Sequence, residues 1–345
     1  MRVFVAGATG AIGIRLVPQL IDRGHEVIGT FRSSPERAEH MQALGAEAIA
    51  LDLLDAAAVR KAVLDARPEV IVHEATALAG GGFSRKLDKT FAQTNRLRTE
   101  GTDALLDAAR EAGVQRFVAQ SFAPYRYAME GGMVKTEDDP LVPVPARGTE
   151  TTFAAMAHLD RVVTASGGIA LRYGGFYGNA SDQLLKPVRK RFMPIIGNGE
   201  GFMSFVHLDD AAAATVLAIE HDGAGIYNVV DDDPAPLREW LPALASVLGA
   251  KPPRHMPAWL ARRIAGEDGV NMGTRTRGAS NAKAKRELGW IPLYPSWRQG
   301  FAAAYAGQQA PDAGSVNTEL YSERLRRLRP SGPCLRRCDG SVGSE

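Results

Sequence analysis

Up to Ala180, short apolar runs alternate with longer segments in which apolar side chains fall three and four positions apart. The runs at 2–6, 26–30, 46–51, 69–72, 116–120, 169–172 and 226–229 predict strands. Between the first two, Ile12, Leu16, Leu20 and Ile21 mark one apolar helical face, and Gly24 ends that helix. Segments 56–67 and 99–112 have the same character, each followed by Pro or Gly and then by the next strand. Such alternation predicts the α/β class, with a doubly wound parallel sheet covered by helices on both faces.

Past Ala180 the alternation loosens, Pro and Gly become denser, and the helical stretches at 237–248 and 282–288 lack a regular partner strand. A smaller, mostly helical lobe is expected there. The predicted division is a sheet domain over 1–178, to which 204–230 returns, and a second lobe from 179–203 and 231–307. Beyond Gln308 the chain turns polar and then Arg-rich, with Arg324, Arg326, Arg327, Arg329, Arg336 and Arg337 among Gly, Ser and Pro. That composition predicts a disordered tail over 308–345.

A chain of 345 residues that is 45% hydrophobic is large enough to bury a full core. Its formal charge of +2 leaves no one-signed field to attract nucleic acid or an anionic membrane, which points to a small-molecule partner. The two cysteines, Cys334 and Cys338, both lie in the tail, so disulfides are not expected to hold the fold. Met1 opens directly on an apolar run without a charged leader, and no apolar segment approaches the ~18 residues of a membrane span. A cytoplasmic location is expected, with no metal.

The first strand runs directly into Gly7, Ala8, Thr9, Gly10, Ala11, Ile12 and Gly13, on which a helix opens. Gly7 suits a tight turn, Gly10 lets backbone approach a pyrophosphate, and Gly13 lets helix pack on strand. The helix N-terminus then offers free N–H groups to the phosphates. This combination predicts a nicotinamide-dinucleotide-binding Rossmann domain. NAD sites place a carboxylate about 20 residues on, at the end of the second strand, for the ribose 2′-hydroxyl. Here the segment reads Thr30, Phe31, Arg32, Ser33, Ser34. Arg32 is suited to pair bidentately with a 2′-phosphate, with Ser33 donating further bonds, so NADP is expected, with NAD as the alternative.

Further residues extend this pattern: Asp52 and Leu53 after the third strand, segment 73–77 after the fourth, and Gly101 with Thr102. Arg116 to Ser121, Leu171 with Arg172, Tyr177 with Gly178, Phe205 to His207 with Asp209 and Asp210, and Glu287 to Trp290 complete it. With these, residues 1 to about 305 resemble the extended and atypical short-chain dehydrogenase/reductase superfamily, in its NAD-dependent epimerase/dehydratase branch. The resemblance implies that Asp52 and Leu53 meet the adenine, that Ala75 and Thr76 lie along the cofactor, and that Gln120 and Ser121 sit beside the nicotinamide. It implies further that Tyr173 and Phe176 line the nicotinamide end, that His207 is structural, that Asp209 and Asp210 cap the following helix, and that the protein forms a homodimer.

The chain departs from that family where the chemistry is usually done. Members use a Tyr and, four residues on, a Lys; aligning Asp160 with the acid that follows this pair puts Thr152 and Met156 in their places. An acid or base must then come from Ser121, Tyr125 or Tyr127, with Tyr125 first, or from Glu74 or Tyr173. Met203 likewise replaces the Arg that relatives place before Phe-Val-His for a sugar-nucleotide diphosphate. Three functions stay open: NADPH-dependent reduction of a small carbonyl-type substrate, nucleotide-sugar epimerisation or dehydration with a bound cofactor, and non-catalytic sensing of NADP(H). A chain ending at Gln308 is expected to unfold cooperatively at the temperature of the full chain; a loss of cooperativity, read by calorimetry, would place the tail in the core.

Overall fold

A computed structural model describes residues 1–32, 35–77, 87–124, 126–178 and 184–306. Seven parallel strands form its sheet: β1 (Arg2–Ala6), β2 (Glu26–Phe31), β3 (Glu47–Ala50), β4 (Val70–His73), β5 (Arg116–Phe122), β6 (Ile169–Tyr173) and β7 (Gly225–Val229). Their spatial order is β3-β2-β1-β4-β5-β6-β7, so the chain reverses direction across the sheet between β1 and β4. Ligand crevices in such sheets open at that reversal, beyond the carboxyl ends of the strands.

Alternating side chains build the two layers. Val3, Val5, Val70, Val72 and Val118 face α1 (Gly13–Asp22), which brings Leu16, Val17 and Leu20 against them. Phe4, Ile28, Ile71, Phe117 and Ala119 face the opposite way, onto α2 (Ala56–Ala66), α3 (Thr102–Ala112) and α4 (Glu150–Ala165). The first layer is completed by α5 (Leu208–Glu220), whose Ala211, Ala214 and Ala218 let it lie close to α1.

Helix ends follow local chemistry. Asp55 accepts from the Ala58 N–H at 3.0 Å and opens α2, while Gly113, at φ 69°, closes α3. The segment expected to be helical from residue 99 begins with a π turn, Leu97–Gly101, ahead of α3. His207, rather than Asp209 or Asp210, caps α5: its Nδ1 accepts from the Asp209 N–H at 3.2 Å. Burial pulls His207 down to about 4, which keeps the ring neutral and able to accept. Asp209 instead pairs with Arg15 Nε at 2.8 Å.

Beyond the sheet, short strand pairs such as Phe202–Met203 with Ala235–Pro236 and Ile195–Ile196 with His255–Met256 carry the helices Leu237–Val247 and Trp297–Tyr305. Their core gathers Tyr177, Phe205, Trp240, Trp297, Phe301 and Tyr305. Asp210, almost fully buried on α5, ties the following chain down by accepting from the N–H groups of Leu293 (2.6 Å) and Tyr294 (2.9 Å). Charge-assisted bonds of this kind contribute about 1.5–3 kcal/mol each. Asp210→Ala is expected to lower stability by about 3 kcal/mol in urea unfolding; an unchanged midpoint would show that both N–H groups find other acceptors.

Candidate active site

At the reversal point the loops after β1 and β4 touch. Gly7 has φ 89°, and a Cβ there would lie 2.7 Å from the backbone of Ala75, so this turn tolerates only glycine. Gly10 closes the turn by donating to Gly7 O at 2.9 Å. A Cβ on Gly13 would fall 2.4 Å from Ala8 O, so the helix seats against the loop. Ile12 opens α1 without any side-chain cap; the Ile14 and Arg15 N–H groups bond Gly10 O (3.1 Å) and Ile12 O (2.9 Å), so the loop backbone itself faces the crevice at the positive end of the helix. The Thr9, Ala11 and Ile12 backbone belongs to the same cradle, and the fit is that of a pyrophosphate.

The adenosine end lies toward β2. Arg32 is exposed at the end of that strand; Ser33 lies outside the described residues. A second cation went unnoticed in the sequence: Arg37, on the helix Pro35–Ala43, donates from Nη1 to Thr9 O at 2.8 Å and so stands over the glycine loop. Its only sequence signal was a basic residue five positions after Arg32. Asp52 is exposed and Leu53 buried, and Ala75 and Thr76, after β4, are partly exposed.

Under the other end of the crevice is a buried polar group of four residues. Tyr173 Oη donates to Glu74 Oε1 at 3.1 Å and lies 2.6 Å from Thr215 Oγ1, which also reaches Ala211 O at 2.8 Å. Burial pushes the Glu74 carboxyl up to about 8. In the amide orientation that satisfies both its ends, Gln120 Nε2 donates to Glu74 O (3.2 Å) and Oε2 (3.1 Å). Tyr173 is therefore a core residue whose phenol faces α5, not a side chain lining the crevice; its ring meets the partly exposed Phe176 with centroids 5.4 Å apart.

On the opposite face of the sheet, Asp160 of α4 gathers two arginines. Its Oδ2 accepts from Arg126 Nη1 (2.7 Å) and from Arg172 Nε (2.9 Å). Burial pushes Asp160 up, but the charges of Arg126 and Arg172 outweigh it and hold the carboxyl below its ordinary value. Arg126 Nη1 also donates to Ser121 Oγ (3.0 Å), and Arg172 Nη1 to Tyr127 Oη (3.1 Å). Tyr127 in turn donates to Asn228 Oδ1 at 2.7 Å. Ser121 and Tyr127 are thus buried members of a charge network and not hydroxyls free to protonate a ligand. Tyr125, between them, lies outside the described residues.

The positions aligned with the usual Tyr and Lys carry no free titratable group. Thr152 Oγ1 donates to Asp88 Oδ1 (2.8 Å) and accepts from Asn95 Nδ2 (3.0 Å), and Met156 is buried. Among the described residues no three His, Cys, Asp or Glu converge as metal ligands, and no helix is long and apolar enough to cross a membrane.

Comparison with known proteins agrees with this geometry. The profile of the NAD dependent epimerase/dehydratase family matches residues 3–230. The chain is 44% identical over 309 residues to the 3-diazoavenalumate denitrifying reductase of a Streptomyces species, covering 87% of this chain and 99% of that one. It is 28% identical to the 2-alkyl-3-oxoalkanoate reductase of Stenotrophomonas maltophilia, over 72% of this chain and 76% of the relative. The UDP-glucose 4-epimerase of Thermus thermophilus, solved in complex with NAD, superposes with a TM-score of 0.67 at 25% identity, covering 88% of this chain and 98% of the other.

The neutral Glu74 sets a pH dependence. With a folded value of about 8 against an ordinary 4.5, the native state holds a proton that the unfolded state has lost. Its contribution is fully present below the unfolded value and is lost as pH rises toward about 8, at up to about 1.4 kcal/mol per pH unit. Glu74→Gln is expected to flatten the fall in thermal midpoint between pH 6 and pH 8; an unaltered slope would assign the titration to another group.

Proposed function

The chain belongs to the NAD dependent epimerase/dehydratase family, and from that premise we propose that it is an NADPH-dependent reductase of a small, carbonyl-type electrophile. The observation that carries this reading is the state of α4 at the crevice. Thr152 is tied to Asp88 and Asn95, and Met156 is an apolar thioether, so this stretch offers no base. Oxidising an alcohol needs a group that removes its proton, whereas reduction needs only a donor for the atom on which charge develops. That asymmetry favours reduction. Two relatives bear the names of reductases, and their named substrates, a diazo compound and a 3-oxoalkanoate, each combine an electrophilic centre with a carboxylate.

In this reading the backbone of the glycine loop, at the N-terminal end of α1, holds the pyrophosphate. Arg32 and Arg37 take the 2′-phosphate, Asp52 and Leu53 the adenine, Ala75 and Thr76 the middle of the dinucleotide, and Gln120 and Phe176 the nicotinamide end. When bound, the cofactor supplies the hydride. Tyr125 is the donor we assign, since Ser121 and Tyr127 have their hydroxyls engaged. A nucleotide-sugar diphosphate is disfavoured, because buried Met203, paired with Ala235, puts no cation where relatives carry arginine.

The wild-type chain is expected to bind NADPH more tightly than NADH. Arg32→Ala and Arg37→Ala should each weaken NADPH by ~10-fold or more, as fits a lost charge-assisted contact. Fluorescence titration of both nucleotides decides this, and equal wild-type affinities would sink the NADPH assignment. NADPH consumption with ketones, aldehydes and 3-oxo acids tests the reaction. Tyr125→Phe should slow it by ~10²–10³; wild-type turnover in that variant removes Tyr125 as donor, and no consumption with any electrophile removes the reductase reading.

A further inference from the structure

Arg98 is the most unusual charge in the molecule. It sits on the π turn Leu97–Gly101, only 6% exposed, and makes no ion pair among the described residues. Its Nε has no hydrogen-bond partner. The turn is held to the end of β4 by the contact between His73 Nε2 and Leu97 O (3.2 Å), which puts Arg98 between that strand end and α4. Arg126, 2% exposed, leaves a second guanidinium nitrogen, Nη2, without a partner.

The charges in this region do not balance. Arg98, Arg126 and Arg172 face Asp160, whose Oδ2 is already shared by two of them. Glu137 acts on the far side of Arg172 and is itself held by the Asn228 N–H at 2.7 Å. Among the described residues three arginines thus face Asp160 and Glu137, and Glu137 is also engaged by Lys283, so positive charge predominates in a buried setting. Such a charge is strongly unfavourable unless an anion meets it. Burial, with the nearby Arg126 adding to it, pulls Arg98 down to about 10, which expresses the same strain. π turns of this kind frequently occur at functional sites, because the extra residue turns a side chain out of helical register.

We propose that Arg98 and Arg126 form a subsite for the carboxylate of the substrate, at the carboxyl ends of β4 and β5. A planar guanidinium matches a carboxylate with two parallel hydrogen bonds, and two such groups with unpartnered N–H donors meet its remaining lone pairs. The subsite selects acids over their esters and amides, and it orients the electrophile by its anionic end. The assignment rests on the reductase reading only in calling the ligand a substrate.

The test is isothermal titration of 3-oxodecanoate and of its methyl ester into the full chain saturated with NADP⁺. The acid is expected to bind at least ~10-fold tighter than the ester, the size of one charge-assisted contact. Arg98→Gln should abolish the difference, and Arg98→Lys should restore part of it. In the absence of ligand, Arg98→Gln should raise the thermal midpoint, which an arginine with a purely structural role would not do. Equal affinities for acid and ester in the wild type, or binding of neither, overturn the proposal. So does an Arg98→Gln chain that keeps its preference for the acid while losing NADPH affinity, since the guanidinium then serves the cofactor. Should wild type fail to bind NADPH, the reductase reading falls, and the same comparison without nucleotide still decides the subsite.

Discussion

One oxygen, Asp160 Oδ2, organises the reacting half of this protein. Arg126 reaches it from the loop after β5 and Arg172 from β6, while Asp160 itself belongs to α4. Through Arg172 the same carboxylate holds Tyr127, and through Tyr127 it reaches Asn228 on β7. Two strands, a helix and the loop after β5 therefore share one anchor. Burying such ions gains little net stability, because desolvation offsets most of the attraction. What it supplies is geometry: removing the carboxylate would strand two guanidinium groups in the interior.

The nucleotide half is built on the opposite principle. Its shape comes from backbone, through the glycines that let β1, β4 and α1 meet without side chains between them, and its binding groups are amides that every residue type possesses. At its rim stand the side chains of Arg32 and Arg37. The other half depends on side-chain charge. Thr152 and Met156 present no titratable group, and the positive charge near the strand ends comes from Arg98 and Arg126 on other elements.

Both halves meet over Glu74, Gln120 and Tyr173, which lie directly beneath the crevice yet remain neutral. Tyr173 donates to Glu74 and meets Thr215, which reaches Ala211 O, and burial favours the neutral form of the Glu74 carboxyl. The surroundings of the reacting end are thus neutral on the α5 side of the sheet and positive on the α4 side. The reduction proposed above, in which an anionic electrophile gains further negative charge, is the chemistry such an arrangement would favour.

Much of the architecture was legible in the sequence by itself. Valine and isoleucine in runs too short for helices, separated by amphipathic segments, determined a parallel sheet, because only strands buried on both faces need such runs. Gly7 and Gly13 determined the tight turn and the close seat of α1 after β1, because their role is steric and local. Partnership between distant side chains was not legible. Arg37 contacts Thr9 only after β2 folds back beside β1, and His207 rather than Asp209 caps α5 because Arg15 claims Asp209 from across the layer. Whether Tyr173 faces a ligand or the core turned on which side of β6 it occupies, and whether Ser121 and Tyr127 keep free hydroxyls turned on where Arg126 and Arg172 reach. Those outcomes depend on burial and on who stands opposite, which only the tertiary structure decides: spacing along the chain encodes periodicity, while charge balance exists only among groups brought together from different elements.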